Sequence, residues 1–308
     1  MPKGMERMDF IKLLGLGGIA FASGLKGFAQ TGSESSERDF YFVQLSDTHW
    51  GFSGPKVNPD AAGTLQKAVA AVNGLARQPD FVMFTGDLTH TTDDPGERRA
   101  RMAQFKEIAG GLKVKQVRFI PGEHDASLDQ GAAYREFFGD PTYAFEHKGI
   151  HFIALDNVSA PGSTLGPAQL AWLAEDLKRL RPETPVVVFA HRPLFSLYED
   201  WDWFTADGDK ALALLAAHPH VTVFYGHIHQ EHHQTTGGIT HHAAKSLIFP
   251  LPAPGSAPKR APIPWNPDEP YRGLGLREVD VRSTRASRLA IPETQEIITE
   301  IPVAPRRA

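Results

Sequence analysis

Five short apolar runs punctuate the chain, and each stops abruptly at residues able to bind a metal ion. The runs are Phe40–Leu45, Phe81–Phe84, Val117–Ile120, Val186–Phe189 and Val221–Tyr225. Runs this short, without polar alternation, predict strands buried on both faces. Between them lie stretches with apolar residues at three- and four-residue spacing, which predicts helices. These are residues 60–77 (Leu65, Val69, Val72, Leu75), 95–110, 167–180 (Leu170, Leu173, Leu177, Leu180) and 208–217. Strand–helix alternation specifies an α/β fold with largely parallel strands. Tyr143–Phe145 and Ile150–Leu155 add a strand pair, and residues 272–281 add late strands. Residues 247–270 are rich in proline and predict a long loop. The pattern taken alone predicts a simple doubly wound sheet. No repeat or linker divides the chain, so residues 30–308 are expected to form one domain.

The polar ends of the runs carry the chemistry. They read Asp47-Thr48-His49, Gly86-Asp87, Gly122-Glu123-His124-Asp125, Ala190-His191 and Gly226-His227-Ile228-His229. In open α/β sheets, ligands bind beyond the carboxyl ends of the strands, so five distant segments would deliver these groups to one edge. A lone Gly-Asp is ordinarily a turn and a lone histidine a structural residue; five such blocks at five strand ends are a different matter. Asp47, His49, Asp87, Glu123, His191, His227 and His229 make four imidazoles and three carboxylates. One tetrahedral zinc takes three or four ligands, and seven suit two ions sharing a carboxylate. Two ions about 3.5–4 Å apart serve phosphate-ester hydrolysis: they neutralise the phosphate, hold a bridging hydroxide in line and stabilise the departing oxygen.

Composition narrows the chemistry further. The chain has 308 residues and no cysteine, which excludes thiolate ligands, thiol catalysis and disulfides. Any transition metal must therefore be held by imidazole and carboxylate. The 36 acidic and 32 basic residues give a formal net charge of −4 with no basic block, so no nucleic-acid partner is expected.

The ordered blocks resemble those of the calcineurin-like metallophosphoesterase superfamily over residues 40–281. The resemblance implies a four-layer β-sandwich of two mixed sheets flanked by helices. It implies one metal ion on Asp47, His49 and His229, a bridging Asp87, and a second ion on His191, His227 and the residue at 123. It places His124 near the leaving oxygen, as an acid or charge stabiliser, with Asp125 orienting its imidazole. The expected activity is hydrolysis of a small phosphate ester by a pair of divalent or transition ions (Fe, Mn or Zn). A tyrosine metal ligand occupies the place of His90 in purple acid phosphatases, so no iron–tyrosinate chromophore is expected. The block Gly86-Asp87-Leu88-Thr89-His90 lacks the arginines of the protein Ser/Thr phosphatases. The nearer likeness is to bacterial cyclic-nucleotide and glycerophosphodiester phosphodiesterases.

Position 123 departs from the family pattern, which has Asn there. An anionic Glu123 repels a phosphate monoester dianion more than a diester monoanion, which favours phosphodiesters. The alternatives are a phosphomonoesterase, or a metal- or phosphate-binding protein whose second site is degenerate. Arg192 is left open between a phosphate contact and a surface residue. The histidines at 232, 233, 241 and 242 are expected to be solvated around a hairpin at Gly237-Gly238. Trp201, Trp203 and Phe204 are expected to serve packing.

Residues 1–29 read as an export signal. Lys3, Arg7 and Lys12 precede an uncharged apolar run from Leu13 to Leu25, shorter than the roughly 18–20 residues that span a bilayer. Gly27-Phe28-Ala29 resembles a signal-peptidase site, and Arg7–Lys12 resembles a twin-arginine signal with Met8 in place of the second arginine. The expectation is a periplasmic or secreted protein without a stable membrane anchor. The sequence sets no oligomeric state.

Overall fold

The computed structural model describes residues 39–281 together with two short strands at 289–290 and 295–296. The export-signal segment, residues 1–29, lies outside the described residues. Within the described residues the chain forms two six-stranded mixed sheets.

The first sheet is built on three parallel strands, β1 (Phe40–Leu45), β2 (Phe81–Thr85) and β3 (Val117–Ile120). β10 (Gly275–Val281) lies antiparallel to β1 and pairs with β11 (Leu289–Ala290) and β12 (Gln295–Glu296). The second sheet runs β4 (Tyr143–His147), β5 (Ile150–Ala154), β6 (Val186–Phe189), β7 (Val221–Tyr225), β9 (Ile239–Ala243), β8 (His232–Thr236). Its inner strands β5, β6, β7 and β9 are parallel, and β4 and β8 close the edges antiparallel.

Strict alternation of side chains divides each strand between two cores. From β1 and β2, Tyr41, Val43, Leu45, Val82 and Phe84 pack against the helices α1 (Ala61–Asn73) and α2 (Pro95–Ala109), through Leu65, Val69, Met102 and Phe105. Their neighbours Phe40, Phe42, Phe81 and Met83 point the other way and meet Phe152, Val187, Phe189 and Phe224 of the second sheet. On that sheet's far face, Val186, Val188, Val221 and Val223 pack against Leu173 and Leu177 of α5 (Gly166–Leu177) and Leu212 and Leu215 of α6 (Gly208–Leu215). The order is helix, sheet, sheet, helix. A strand buried on both faces looks alike in sequence whether its second face meets a helix or another sheet. The doubly wound sheet that the pattern alone predicts is therefore corrected to the sandwich that the resemblance implies.

Phenylalanine dominates the seam between the sheets. Phe42 stacks on Phe81 at 4.7 Å and meets Phe224 edge-on at 5.5 Å. At the site end of the seam Gln44 takes the position where another phenylalanine would fall. Its Nε2 donates to Thr85 Oγ1 (3.0 Å) and, across to the second sheet, to the carbonyl of Tyr225 (3.1 Å). The sandwich thus changes from aromatic to polar over one residue spacing.

The helices match their expected positions but end earlier at their C-termini. Asp94 caps α2 by accepting from the N–H groups of Gly96 and Glu97, with Pro95 in the first turn. Two short helices, α3 (Glu123–Ala126) and α4 (Ala132–Phe138), follow β3. Residues 247–270 carry neither helix nor strand. No helix among the described residues is long and apolar enough to cross a membrane.

Truncating the seam tests this layering. Phe42→Ala is expected to lower stability by about 3–5 kcal/mol, as for a fully buried aromatic ring. The readout is a denaturant midpoint shifted at constant m-value. A cost below about 1 kcal/mol would show that the sheets do not depend on this face.

Candidate metal centre

The ends of β1, β2 and β3 from one sheet and of β6 and β7 from the other converge at the polar edge of the seam. Hydrogen bonds between the loops tie them together. The Asp47 N–H donates to the Gly86 carbonyl (3.0 Å), the His49 N–H to the Asp87 carbonyl (2.9 Å) and the Gly226 N–H to the His191 carbonyl (3.0 Å). The His227 N–H donates to the Asp47 carboxylate at 3.1 Å. Glycine is required where the loops touch. A Cβ on Gly122 would lie 2.0 Å from Asp87 Oδ1 and 2.2 Å from the Asp87 backbone nitrogen, and one on Gly86 would lie 2.2 Å from His191 Nδ1.

Nine non-glycine residues have positive φ among the described residues, and five are Asp47, His49, Asp87, His227 and His229, at 42° to 67°. Such backbone costs on the order of 1 kcal/mol or more per residue and persists where the surroundings over-determine it. Here it turns alternate side chains at the strand ends inward.

The seven side chains proposed from sequence fall into two groups that share Asp87. Asp47, His49, Asp87 and His229 form one, and Asp87, Glu123, His191 and His227 the other; in each, one donor atom per residue lies within 4.8 Å of the rest. Asp87 Oδ2 stands 3.4 Å from both His49 Nε2 and His191 Nε2. Glu123 reaches His191 Nε2 and His227 Nδ1, each at 2.9 Å. His229 Nε2 lies 3.2 Å from His49 Nε2 and 3.3 Å from Asp47 Oδ1.

The outward ring nitrogens show which atoms face inward with lone pairs. His191 Nδ1 donates to the Thr85 carbonyl (2.7 Å), His229 Nδ1 to the Phe249 carbonyl (2.8 Å) and His227 Nε2 to the Asp202 carbonyl (3.1 Å). A carbonyl can only accept, so the opposite nitrogen of each neutral ring carries a lone pair aimed at the centre. Glu123 Oε2, His191 Nε2 and His227 Nδ1 are buried, and although Glu123 lies 2.9 Å from both rings, none of the three atoms makes a well-directed hydrogen bond. Orphaned donor atoms of this kind, converged on one point, fit a metal ion.

Charge at the centre agrees with that fit. Burial and the neighbouring Glu123 push Asp87 up, but His191, His124 and His49 outweigh them and hold it below the carboxylate range. Burial pushes Glu123 up too, and His227 and His191 hold it well below its ordinary value. Burial keeps His49 and His227 down and so neutral. His191 is the exception: burial opposes its charge, yet Asp87 and Glu123 hold its pKa well above the ordinary value. The two carboxylates thus favour positive charge at this point; a bound metal cation would supply it and leave His191 neutral, with the Nε2 lone pair free to bind.

Two expectations are corrected here. Asp125 does not orient His124. Its carboxylate accepts from the N–H groups of Leu88, Thr89 and Gly122 and from the Thr89 hydroxyl, at 2.8 to 2.9 Å, and so pins the β2 and β3 loops together. His124 Nδ1 faces Thr91. The histidines of the β8–β9 hairpin are not uniformly solvated. His233 is exposed, whereas His241 is fully buried against Phe195. Successive strand residues face opposite sides, so His241 and His242 cannot share one environment.

Arg192, left open by sequence, is buried; it donates to Asp202, with the carboxylate at 2.6 Å, and its Nε lies 3.9 Å from Glu123. Trp201 and Trp203 pack with Tyr225 and Ile248, as expected. Sequence noted His90 only as the residue in place of a tyrosine ligand and missed that its Nδ1 lies 3.2 Å from His49 Nδ1; it also missed Phe249, whose ring stacks on His49 at 5.6 Å. The His90-Thr91 pair, three residues beyond Asp87, was the available signal for the first. The second sits in the proline-rich loop and has none.

Residues 40–231 match the calcineurin-like phosphoesterase family. The chain belongs to that family. The mouse serine/threonine-protein phosphatase CPPED1 is 30% identical over 231 residues, 64% of this chain and 73% of that one. A probable cyclic nucleotide phosphodiesterase of Rhodopseudomonas palustris is 28% identical over 237 residues, 70% of this chain and 83% of that one. Among solved structures, a dimetal phosphatase from Danio rerio aligns with a TM-score of 0.58 at 14% identity, covering 84% of this chain and 96% of that one. This calcineurin-like phosphoesterase thus shares its fold with that structure. The family uses divalent metals, and the two donor groups around Asp87 are where this chain could hold them.

Two measurements follow. Gly122→Ala is expected to separate the β2 and β3 loops and abolish uptake of paired ions, read by elemental analysis of metal-reconstituted protein; unchanged stoichiometry would refute the close-approach argument. His241 gives a pH dependence. Burial, with His232 nearby, lowers its pKa from 6.5 to about 4, so the folded state resists protonation that the unfolded state accepts. Its contribution to stability is complete above pH 6.5 and is lost as pH falls toward 4. His241→Leu is expected to narrow the stability gap between pH 7 and pH 4.5 by about 1–2 kcal/mol. An unchanged gap would place the acid sensitivity elsewhere.

Proposed function

We propose that the chain hydrolyses phosphate esters, diesters in preference to monoesters, at a centre that would hold two metal ions with Asp87 common to both donor groups. The observation that supports this is the pair of donor groups sharing one buried carboxylate, with inward lone pairs fixed by outward hydrogen bonds. Asp47, His49 and His229 would hold one ion and Glu123, His191 and His227 the other, with Fe, Mn or Zn all suited to such ligands. Bound there, divalent ions withdraw charge from the phosphoryl group and lower the pKa of a coordinated water. The protein's own part is positioning. The strained strand ends hold the donor side chains inward, and His124 stands beside Asp87.

The relatives' names span monoester and diester chemistry, so the preference rests on charge at position 123. Arg192 does not cancel the extra carboxylate, because Asp202 holds the guanidinium more closely than Glu123 does. Glu123, Arg192 and Asp202 together leave one uncompensated negative charge, which disfavours a dianion.

Export is part of the same proposal and is supported by the sequence of residues 1–29 alone.

The test uses the full chain reconstituted separately with Mn, Fe and Zn. Near two ions per chain and chelator-sensitive hydrolysis, faster on bis(p-nitrophenyl) phosphate than on p-nitrophenyl phosphate, is expected. Glu123→Asn should keep the metal pair and raise monoester relative to diester turnover by roughly tenfold. Metal binding without turnover of either ester, or activity that first appears in Glu123→Asn, would overturn the proposal in favour of a degenerate second site.

A further inference from the structure

The contact that fixes His124 also fixes where its ring proton lies. The Thr91 N–H donates to His124 Nδ1 at 3.1 Å, and Thr91 Oγ1 lies 2.6 Å from the same nitrogen. A backbone amide has only a proton to give, so Nδ1 presents its lone pair. The Thr91 hydroxyl shares that lone pair as a second donor. The one proton of the neutral ring then sits on Nε2, on the side turned away from Thr91.

The ring is restrained in its other directions as well. His90 stacks on it at 4.8 Å and 23°, and His49 meets it edge-on at 4.5 Å. Its own backbone N–H donates to Asp87 Oδ1 at 3.0 Å, which locks the residue to the shared carboxylate. Asp125, the neighbouring carboxylate that could have accepted a proton from Nδ1, is committed to four donors of other residues.

We propose that Thr91 is the positioning residue that presents His124 to the departing ester oxygen as an Nε2–H hydrogen-bond donor, not as a proton donor. This rests on the phosphoesterase function proposed above. In the hydrolysis, a water oxygen gives up a proton to solvent and bonds to phosphorus while the bond to the leaving oxygen breaks, and the bonding pair stays on that oxygen. The Nε2–H group stabilises the charge that develops there. The imidazole keeps its proton, and the leaving oxygen takes one from solvent. Transfer from Nε2 while Nδ1 is held as an acceptor would leave an imidazolate, a poor outcome for a general acid.

Two measurements decide it. The first is independent of turnover. In the full chain with ¹⁵N-labelled histidine, metal-free and Zn-loaded, the His124 signals are identified by their absence in His124→Gln. A bonded proton on Nε2 and none on Nδ1 is expected, and Thr91→Val, which keeps the amide donor, should retain that tautomer. A proton on Nδ1 overturns the proposal. The second compares His124→Gln with the wild type on an aryl and an alkyl phosphodiester. The side-chain amide of Gln supplies an N–H donor, so a similar loss on both esters is expected. A loss about 100-fold or more greater on the alkyl ester would be the mark of a general acid and would overturn the proposal. Thr91→Val should lower kcat several-fold with little change in KM; an unchanged kcat would remove Thr91 from the positioning role. If no metal-loaded form turns over either ester, the phosphoesterase function falls and the catalytic half of this inference with it. The spectrum still decides the tautomer, so the two failures are distinguishable.

Discussion

The Asp87 carboxylate is the point on which the two sheets agree. One oxygen stands 3.4 Å from an imidazole of each sheet's strand ends, His49 after β1 and His191 after β6. The other accepts the N–H of His124 after β3. A single buried carboxylate therefore sets the spacing of three chain segments that are remote in sequence. It can do so only because Gly86 and Gly122 let the loops approach closer than any Cβ would allow. The cost of burying its charge falls on the surrounding histidines, which hold it ionised against desolvation and against Glu123. Fold and site are for this reason not separable. A displacement of one sheet against the other would pull each donor group apart, because each draws its ligands from both sheets.

What could be read in the sequence follows from the same physics. The strands and main helices were legible because burial on both faces leaves uninterrupted apolar runs, and the ligand blocks were legible because each closes such a run. The layering was not legible from the pattern. Phe42 and Val43 are equally apolar, and nothing in their order says that one meets a sheet and the other a helix. The seven donor residues could be named, but not the partner of His124. Asp125 is adjacent and ionisable, so it is the natural sequence-level candidate, while Thr91 lies on a different loop and acts partly through its backbone. Likewise His241 and His242 differ by one position yet occupy opposite faces of β9, a distinction that depends on register alone.

Position 123 shows how a local change in charge is absorbed. Glu123 is longer than the family's Asn and anionic, and it points between His191 and His227. Arg192 offers a nearby countercharge, but its shorter contact is to the exposed carboxylate of Asp202. The arrangement keeps Glu123 available to the centre instead of neutralising it in a private ion pair. A fully paired Glu123 would be a poorer metal ligand, because its lone pairs would already be committed. The Asp202 contact therefore serves the centre indirectly, by holding the guanidinium off the ligand.

The outward partners of the imidazoles explain how such a centre can sit beneath loops of little sequence pattern. Three of the four rings donate to main-chain carbonyls, those of Thr85, Phe249 and Asp202, and the fourth has the imidazole of His90 beside its outward nitrogen. A carbonyl is present whatever the side chain, so the loops at 195–207 and 247–270 can change residue identity without losing the acceptors, provided the backbone keeps its path. What must be kept is the path itself. In the proline-rich segment, Ser246 Oγ accepts from the N–H groups of Ile248 and Phe249, and the Asn58 side chain donates to the Ile248 carbonyl. Pro250 and Pro252, which follow directly, restrict the next torsions. The side chains that carry information in these loops are thus the ones that shape backbone, and the side chains facing a substrate are free to vary around a fixed set of ligands.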